Sequence, residues 1–150
     1  MTAWQAAIKR TLDVVLGAVG FVLLLPVMAV VALLVALDST GPVVYGAQRV
    51  GRNGQPFTMF KFRSMARGAD AVGPAVTGAY DFRVTRVGAF LRRTKLDELP
   101  QLLNVIAGQM SLVGPRPESP TYVERWTDTE RAVLAMRPGI TGPTQISYLD

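Results

Sequence analysis

Two acidic residues in an otherwise cationic stretch, Asp97 and Glu98, are the residues best placed by type and spacing to do chemistry in this chain. Arg83, Arg86, Arg92, Arg93 and Lys95 precede them and Arg116 follows. An ionised carboxylate in such surroundings can attack an electrophilic phosphorus or hold a divalent cation. It can also do neither, since Asp at an N-cap and Glu in a first turn simply offset the helix dipole. Further on, Gly114-Pro115-Arg116-Pro117 sets a single Arg between two prolines, whose fixed φ stiffens the backbone beneath the guanidinium. A carboxylate facing a diphosphate needs its repulsion cancelled, and Mg²⁺ with preorganised Arg or Lys donors does this without moving a proton. Acidic pair and rigid arginine together suggest phosphate chemistry, while the local pattern alone leaves the capping reading open.

Composition narrows the field. The chain of 150 residues contains no Cys and no His, which excludes thiol chemistry, disulfides, Cys/His zinc sites and any imidazole base. Carboxylates, Lys, Arg, Tyr and hydroxyls must carry whatever catalysis there is. A formal charge of +5, dominated by Arg, points to anionic partners: phosphates, acidic head groups or nucleic acid. There is no phosphate-binding loop of the G-x-x-x-x-G-K type, no G-x-G-x-x-G and no internal repeat, so a nucleotide must be held in some other way.

The elements that must position these residues begin with an apolar run from Leu12 to Leu37, broken only by Asp13, Gly17 and Gly20. It is longer than the core of a secretory signal and no small-residue cleavage site follows, so it reads as a membrane segment. Pro26 in its middle removes a backbone hydrogen bond and crowds the preceding turn. At ~1.5 Å per residue the two arms reach roughly 20 Å and 17 Å, short of a hydrocarbon core about 30 Å thick. Lys9 and Arg10 lie on one side, and Arg49, Arg52, Lys61, Arg63 and Arg67 on the other. Basic flanks at both ends favour a segment that enters and leaves on the same, cytoplasmic face, against a kinked helix that spans.

From Gly41 to Met65 the pattern is a β-hairpin, with Gly51-Arg52-Asn53-Gly54 as the turn and Phe57 to Phe62 alternating. Residues 66–80, rich in Ala and Gly, read as a mobile loop. Thr94 to Ala107 is the expected central helix, capped by Thr94 or Asp97, with Pro100 in its first turn and Gly108 past its end. That places Asp97 and Glu98 at a helix N-terminus. Ser119-Pro120 opens another helix, Thr127-Asp128-Thr129-Glu130 has the form of a capping box, and Arg137-Pro138 stops a third. The last two are short and amphipathic, suited to a membrane interface or to a core.

Taken together, these stretches resemble the bacterial sugar transferases, the monotopic polyprenyl-phosphate phosphoglycosyl transferases. The resemblance runs through Lys9-Arg10-x-x-Asp13, Gly41-Pro42-Val43, Lys61-Phe62-Arg63-Ser64-Met65 and Asp81-x-Arg83-x-Thr85-x-x-Gly88. It continues in Leu96-Asp97-Glu98-Leu99-Pro100-Gln101-Leu102-x-Asn104-Val105, Gly108-x-Met110-Ser111-Leu112-Val113-Gly114-Pro115-Arg116-Pro117 and Arg137-Pro138-Gly139-Ile140-Thr141-Gly142. It implies an α+β, membrane-associated fold: a re-entrant helix–break–helix over residues 1–40, then a cytoplasmic catalytic domain over 41–150 with a short β-hairpin and several short helices. It implies a transferase that moves a phosphosugar from a UDP-sugar to polyprenyl (undecaprenyl) phosphate, releases UMP, and so starts glycan, exopolysaccharide, lipopolysaccharide or glycoprotein assembly on the inner membrane.

By the same resemblance Asp97 is the nucleophile, Glu98 its neighbour at Mg²⁺, with Asp97 a second ligand. Arg116, flanked by Pro115 and Pro117, binds phosphate, and Arg92, Lys61 and Arg63 support it. Lys9, Arg10 and Asp13 anchor the membrane segment, and Pro26 turns it. The implied partners are the UDP-sugar, polyprenyl phosphate and inner-membrane phospholipids, not nucleic acid, with self-association left open. Departures exist: Leu25 precedes Pro26 where many relatives have Ser, Ala47 stands where many have Gln, and relatives commonly continue beyond the position of Asp150. The contrasting reading is a membrane-anchored binder of acidic lipid or nucleic acid, which accounts for the charge but not for Leu-Asp-Glu-Leu-Pro.

Overall fold

The computed structural model describes residues 2–69 and 81–142. It divides into two compact units, Met1–Leu23 with Gly46–Phe60 and Gln101–Asp150, and Leu24–Tyr45 with Lys61–Pro100. Both take part of one helix, α1 (Ala3–Asp38), which carries Pro26 inside it. Helical geometry continues through Pro26, so one uninterrupted helix stands where a helix–break–helix is expected; proline costs its own donor, while the turns on either side keep theirs. Among the described residues α1 is the one helix long and apolar enough to cross a membrane. Leu12, Val22, Leu23, Leu33 and Leu37 all stand exposed on it, an apolar surface that water does not favour and that is consistent with membrane association.

The first unit contains most of a hairpin, β1 (Val44–Val50) and β2 (Pro56–Phe62), closed by a 3-10 turn at Arg52–Gly54 in which Asn53 takes φ 57°. This is the hairpin the alternating pattern predicts. Alternate residues Phe57 and Met59 face inward and pack with Ala47, Val105 and Met110. Val105 lies in a helix that is shorter than the one expected from Thr94 to Ala107. A pair of three-residue parallel strands completes this unit, Ser111 to Val113 against Gly139 to Thr141, in the register Ser111 with Gly139 and Val113 with Thr141. The start of α1 lies on this core: a Cβ on Gly17 would sit 3.2 Å from Val105 and one on Gly20 4.0 Å from Leu102.

The second unit packs Val31 and Val35 of α1 against Phe62 and Leu91, with Leu96 and Leu99 at the margin. Its principal short helix, α2 (Arg86–Thr94), is absent from the sequence expectation. Thr85 caps it by accepting from the Gly88 amide at 2.9 Å, and Lys95 ends it in the left-handed region at φ 59°. The expected helix from Thr94 to Ala107 is therefore corrected. Thr94 is the last residue of α2, Leu96–Glu98 form a 3-10 turn, and a separate helix α3 runs Gln101–Ile106. Pro100 has no N–H to return to Leu96, and Leu99 takes that carbonyl instead in a tighter bond of 3.3 Å. Gly108 follows α3 at φ 90°, as expected.

The remaining elements belong to the first unit. With β3 (Ser111–Val113) and β4 (Gly139–Thr141) as named strands, α4 (Pro120–Val123) starts after Ser119 and α5 (Asp128–Arg131) carries the capping box, Thr127 and Glu130 bonding reciprocally. A 3-10 turn, Ala132–Ala135, stands where a third helix is expected, and Met136 is already extended before Arg137-Pro138. Of the expected loop over 66–80, residues 66–69 form a turn closed by the Ala69 amide on Ala66 O at 3.2 Å. Residues 70–80 lie outside the described residues.

Candidate active site

The acidic pair sits in the 3-10 turn between α2 and α3, and both residues are buried, Asp97 at 6% and Glu98 at 9% exposure. The left-handed Lys95 makes this possible by folding the chain back at once after α2, so that the Glu98 amide donates to Lys95 O at 3.1 Å. Lys61, near the end of β2, donates from Nζ to Glu98 Oε1 at 2.8 Å. Arg92, in the last turn of α2, donates from Nε to Ser64 Oγ at 2.8 Å. Asp97 differs from its neighbour: its Oδ1 is buried and has no hydrogen-bond partner. Burial pushes the Asp97 carboxyl above its ordinary range; Lys61 pulls it back, Glu98 raises it further, and Arg92 and Lys95 oppose. A buried carboxylate oxygen without a donor is costly, and such an atom beside several cations is a natural nucleophile or ligand.

Thus the second unit brings together four of the sequence-derived site residues: Asp97, Glu98, Lys61 and Arg92. Arg63 is placed otherwise. Its side chain is buried and points at the end of α1, donating from Nη2 to Val35 O at 3.2 Å, to Ser39 O and to Ser39 Oγ, and from Nη1 to Pro42 O. A cation over the last carbonyls of a helix satisfies acceptors that otherwise lack donors, and the guanidinium is committed there rather than offered to a phosphate. In the first unit, Arg116 is exposed between Pro115 and a buried Pro117. Its backbone is tied on either side, by the Gly139 amide on Pro115 O at 2.8 Å and the Val50 amide on Glu118 O at 2.9 Å.

The residues expected to anchor the membrane segment form a cluster of their own in the first unit. Asp13 is buried; its Oδ2 receives Lys9 Nζ at 3.0 Å and Ser111 Oγ at 2.8 Å, and its Oδ1 receives the Leu112 amide at 3.1 Å. Lys9 also donates to Ser111 Oγ. Arg10 reaches the end of α3, donating to Val105 O at 2.7 Å and Ile106 O at 3.1 Å. Ser64 and Ser111 were missed as individual residues by the sequence reading. Both stand inside motifs that carried the resemblance, yet a serine has no spacing signature of its own. The pair Asp81 and Arg83 is also tight, with Arg83 Nε on Asp81 Oδ1 at 2.8 Å, and this guanidinium holds the Asp81 carboxyl down to about 2.

Among the described residues no three acidic side chains gather as a ready metal cage. Two adjacent carboxylates, one with an unpartnered oxygen, nevertheless suit Mg²⁺, which characteristically takes one or two carboxylates and completes its shell with phosphate oxygens and water.

Residues 4–150 match the bacterial sugar transferase family, and the chain belongs to that family. It is similar to a Bacillus subtilis protein provisionally named undecaprenyl-phosphate N-acetylgalactosaminyl 1-phosphate transferase, at 46% identity over 125 residues, 83% of this chain and 70% of the relative. It is 41% identical over 147 residues to the UDP-N-acetylgalactosamine-undecaprenyl-phosphate N-acetylgalactosaminephosphotransferase of Aeromonas hydrophila, covering 95% of this chain and 34% of that one. A UDP-glucose:undecaprenyl-phosphate glucose-1-phosphate transferase of Escherichia coli is 44% identical over 144 residues, 93% of this chain and 31% of the relative. The chain thus spans about a third of the length of those two longer relatives. The family resemblance drawn from the motifs is borne out.

Proposed function

We propose that this protein transfers a phosphosugar from a UDP-sugar to undecaprenyl phosphate at the cytoplasmic face of a bacterial inner membrane, by way of a covalent intermediate on Asp97. The observation that carries the reading is the buried, unpartnered Oδ1 of Asp97 beside Glu98, with Lys61 and Arg92 in the same unit. The names of the relatives support the substrate classes. In the first step an Asp97 carboxylate oxygen attacks the sugar-bearing phosphorus of the donor. The bond from that phosphorus to the bridging oxygen breaks, and its electron pair leaves with UMP. In the second, a phosphate oxygen of the acceptor attacks the same phosphorus and the Asp97 carboxylate departs, leaving polyprenyl diphosphosugar.

Lys61 orients the Glu98 carboxylate, and Arg92 supplies a planar cation suited to phosphate oxygens. Mg²⁺, held by Asp97 and Glu98, would withdraw charge from the diphosphate and from departing UMP. Arg116 keeps the phosphate-binding role that the family resemblance implies, and its proline-framed, tethered backbone suits a preorganised donor. The apolar α1 holds the domain on phospholipid and re-enters the leaflet at Pro26, with basic residues on both flanks.

Purified, lipid-free protein mixed with UDP-sugar and Mg²⁺, without polyprenyl phosphate, should release about one UMP per active site and gain the matching mass. Asp97→Asn should do neither. Turnover that needs the acceptor before any UMP appears would mean direct attack by the lipid phosphate, with Asp97 serving elsewhere.

A further inference from the structure

We infer that Ser64 is a positioning residue that aims the Arg92 guanidinium at the donor phosphate attacked by Asp97; this rests on the transfer reading above. Ser64 is buried, and its Oγ accepts from Arg92 Nε at 2.8 Å. That bond uses the inner nitrogen of the guanidinium. Among the described residues the ion pairs are Lys9 with Asp13, Lys61 with Glu98 and Arg83 with Asp81, while the charge of Arg92 acts on Asp97 and Asp81. An arginine pinned at Nε presents its two Nη groups as a fork of fixed direction, the geometry that matches two phosphate oxygens.

The serine is itself held unusually firmly. Its carbonyl accepts the Thr85 amide at 3.2 Å, and the preceding Arg63 is bound to the end of α1. The first turn of α2 lies directly on it: a Cβ added to Gly88 would stand 2.0 Å from Ser64 O and 2.8 Å from Ser64 Cα. No side chain fits there, so Gly88 is what lets α2 approach. The chain thus fixes the backbone under the hydroxyl from one side and the start of the arginine's own helix from the other, and the Arg92 guanidinium is tied to that hydroxyl at Nε. The cations and acid that act on Asp97 are Lys61, Arg92, Lys95 and Glu98, so turning Arg92 also alters the field at the nucleophile.

The test is a double-mutant cycle on acceptor-free UMP release by the full chain in detergent, with thermal unfolding followed in parallel. Ser64→Ala should slow release about tenfold, the size expected for one lost orienting hydrogen bond. In an Arg92→Lys background, where no Nε is present to be held, Ser64→Ala should cost nothing further. A full additive loss in that background, or an unchanged rate in Ser64→Ala, overturns the inference. Asp97→Asn run alongside separates the two levels: if it still releases UMP without acceptor, the transfer reading itself has failed, whereas its silence with an unaffected Ser64→Ala sinks the positioning role alone.

Discussion

At the scale of single residues the central tension is at Asp97, which the proposed transfer requires to be ionised but which is buried where ionisation is unfavourable. Burial raises its pKa, so the folded chain binds a proton there more tightly than the unfolded chain does. Its contribution to stability is therefore full below the ordinary carboxylate range and is lost as pH rises through the raised value. Asp97→Asn should melt higher than the unchanged protein near neutral pH, and the gap should close on acidification below that range, as read by thermal unfolding in detergent. UMP release should rise with pH over the same interval in which stability is lost. Arg116→Ala should lose about 2–4 kcal/mol of transition-state stabilisation, a drop of about 10²-fold or more in the same assay, with poor rescue by Lys. The identity of the acidic pair was legible from charge contrast along the chain. The role of Arg63 was not: a cation in a basic motif looks the same whether it meets a phosphate or the last carbonyls of a helix, and only the course of α1 decides.

Among the elements, α2 and the turn after it do most to build the site. Gly88→Ala should be severely destabilising, since the added methyl meets backbone rather than a yielding side chain. Gly54→Ala, with nothing within 4 Å of the new methyl, should cost only the strain of its positive φ. The difference between the two in denaturant midpoint measures the close approach. The hairpin and the capping box could be read directly, because alternation and a Thr-x-x-Glu spacing are local signals. α2 could not, with three arginines and a glycine in nine residues and only Leu91 and Gly88 turned fully inward. Its stop is written in Lys95, a residue without special preference for the left-handed region, so the boundary between α2 and the turn that holds Asp97 and Glu98 is set by tertiary packing. That is why one helix over 94–107 was expected where a helix, a 3-10 turn and a second helix are found.

For the whole molecule the open question is how α1 meets the membrane. With both flanks on the cytoplasmic face, a Cys placed at Thr2 and one placed at Gly54 should both resist an impermeant reagent added from the periplasm. Labelling at position 2 alone would mean that α1 spans. Pro26→Leu should restore the missing donor, straighten the helix and shift part of the population to the spanning form, seen as new labelling at position 2. The buried cluster at Asp13 adds a constraint of a different kind, one of timing. Asp13 leaves the ribosome before the hydroxyl that completes its shell, which belongs to Ser111, 98 residues further along. Until then Asp13 has Lys9, one turn away in α1, beside it, and the apolar helix carries a carboxylate that the finished protein no longer exposes. Synthesis therefore puts the membrane segment in place before the chain that secures it exists, and a ribosome halted before Ser111 holds a helix whose acidic residue is still answerable to water.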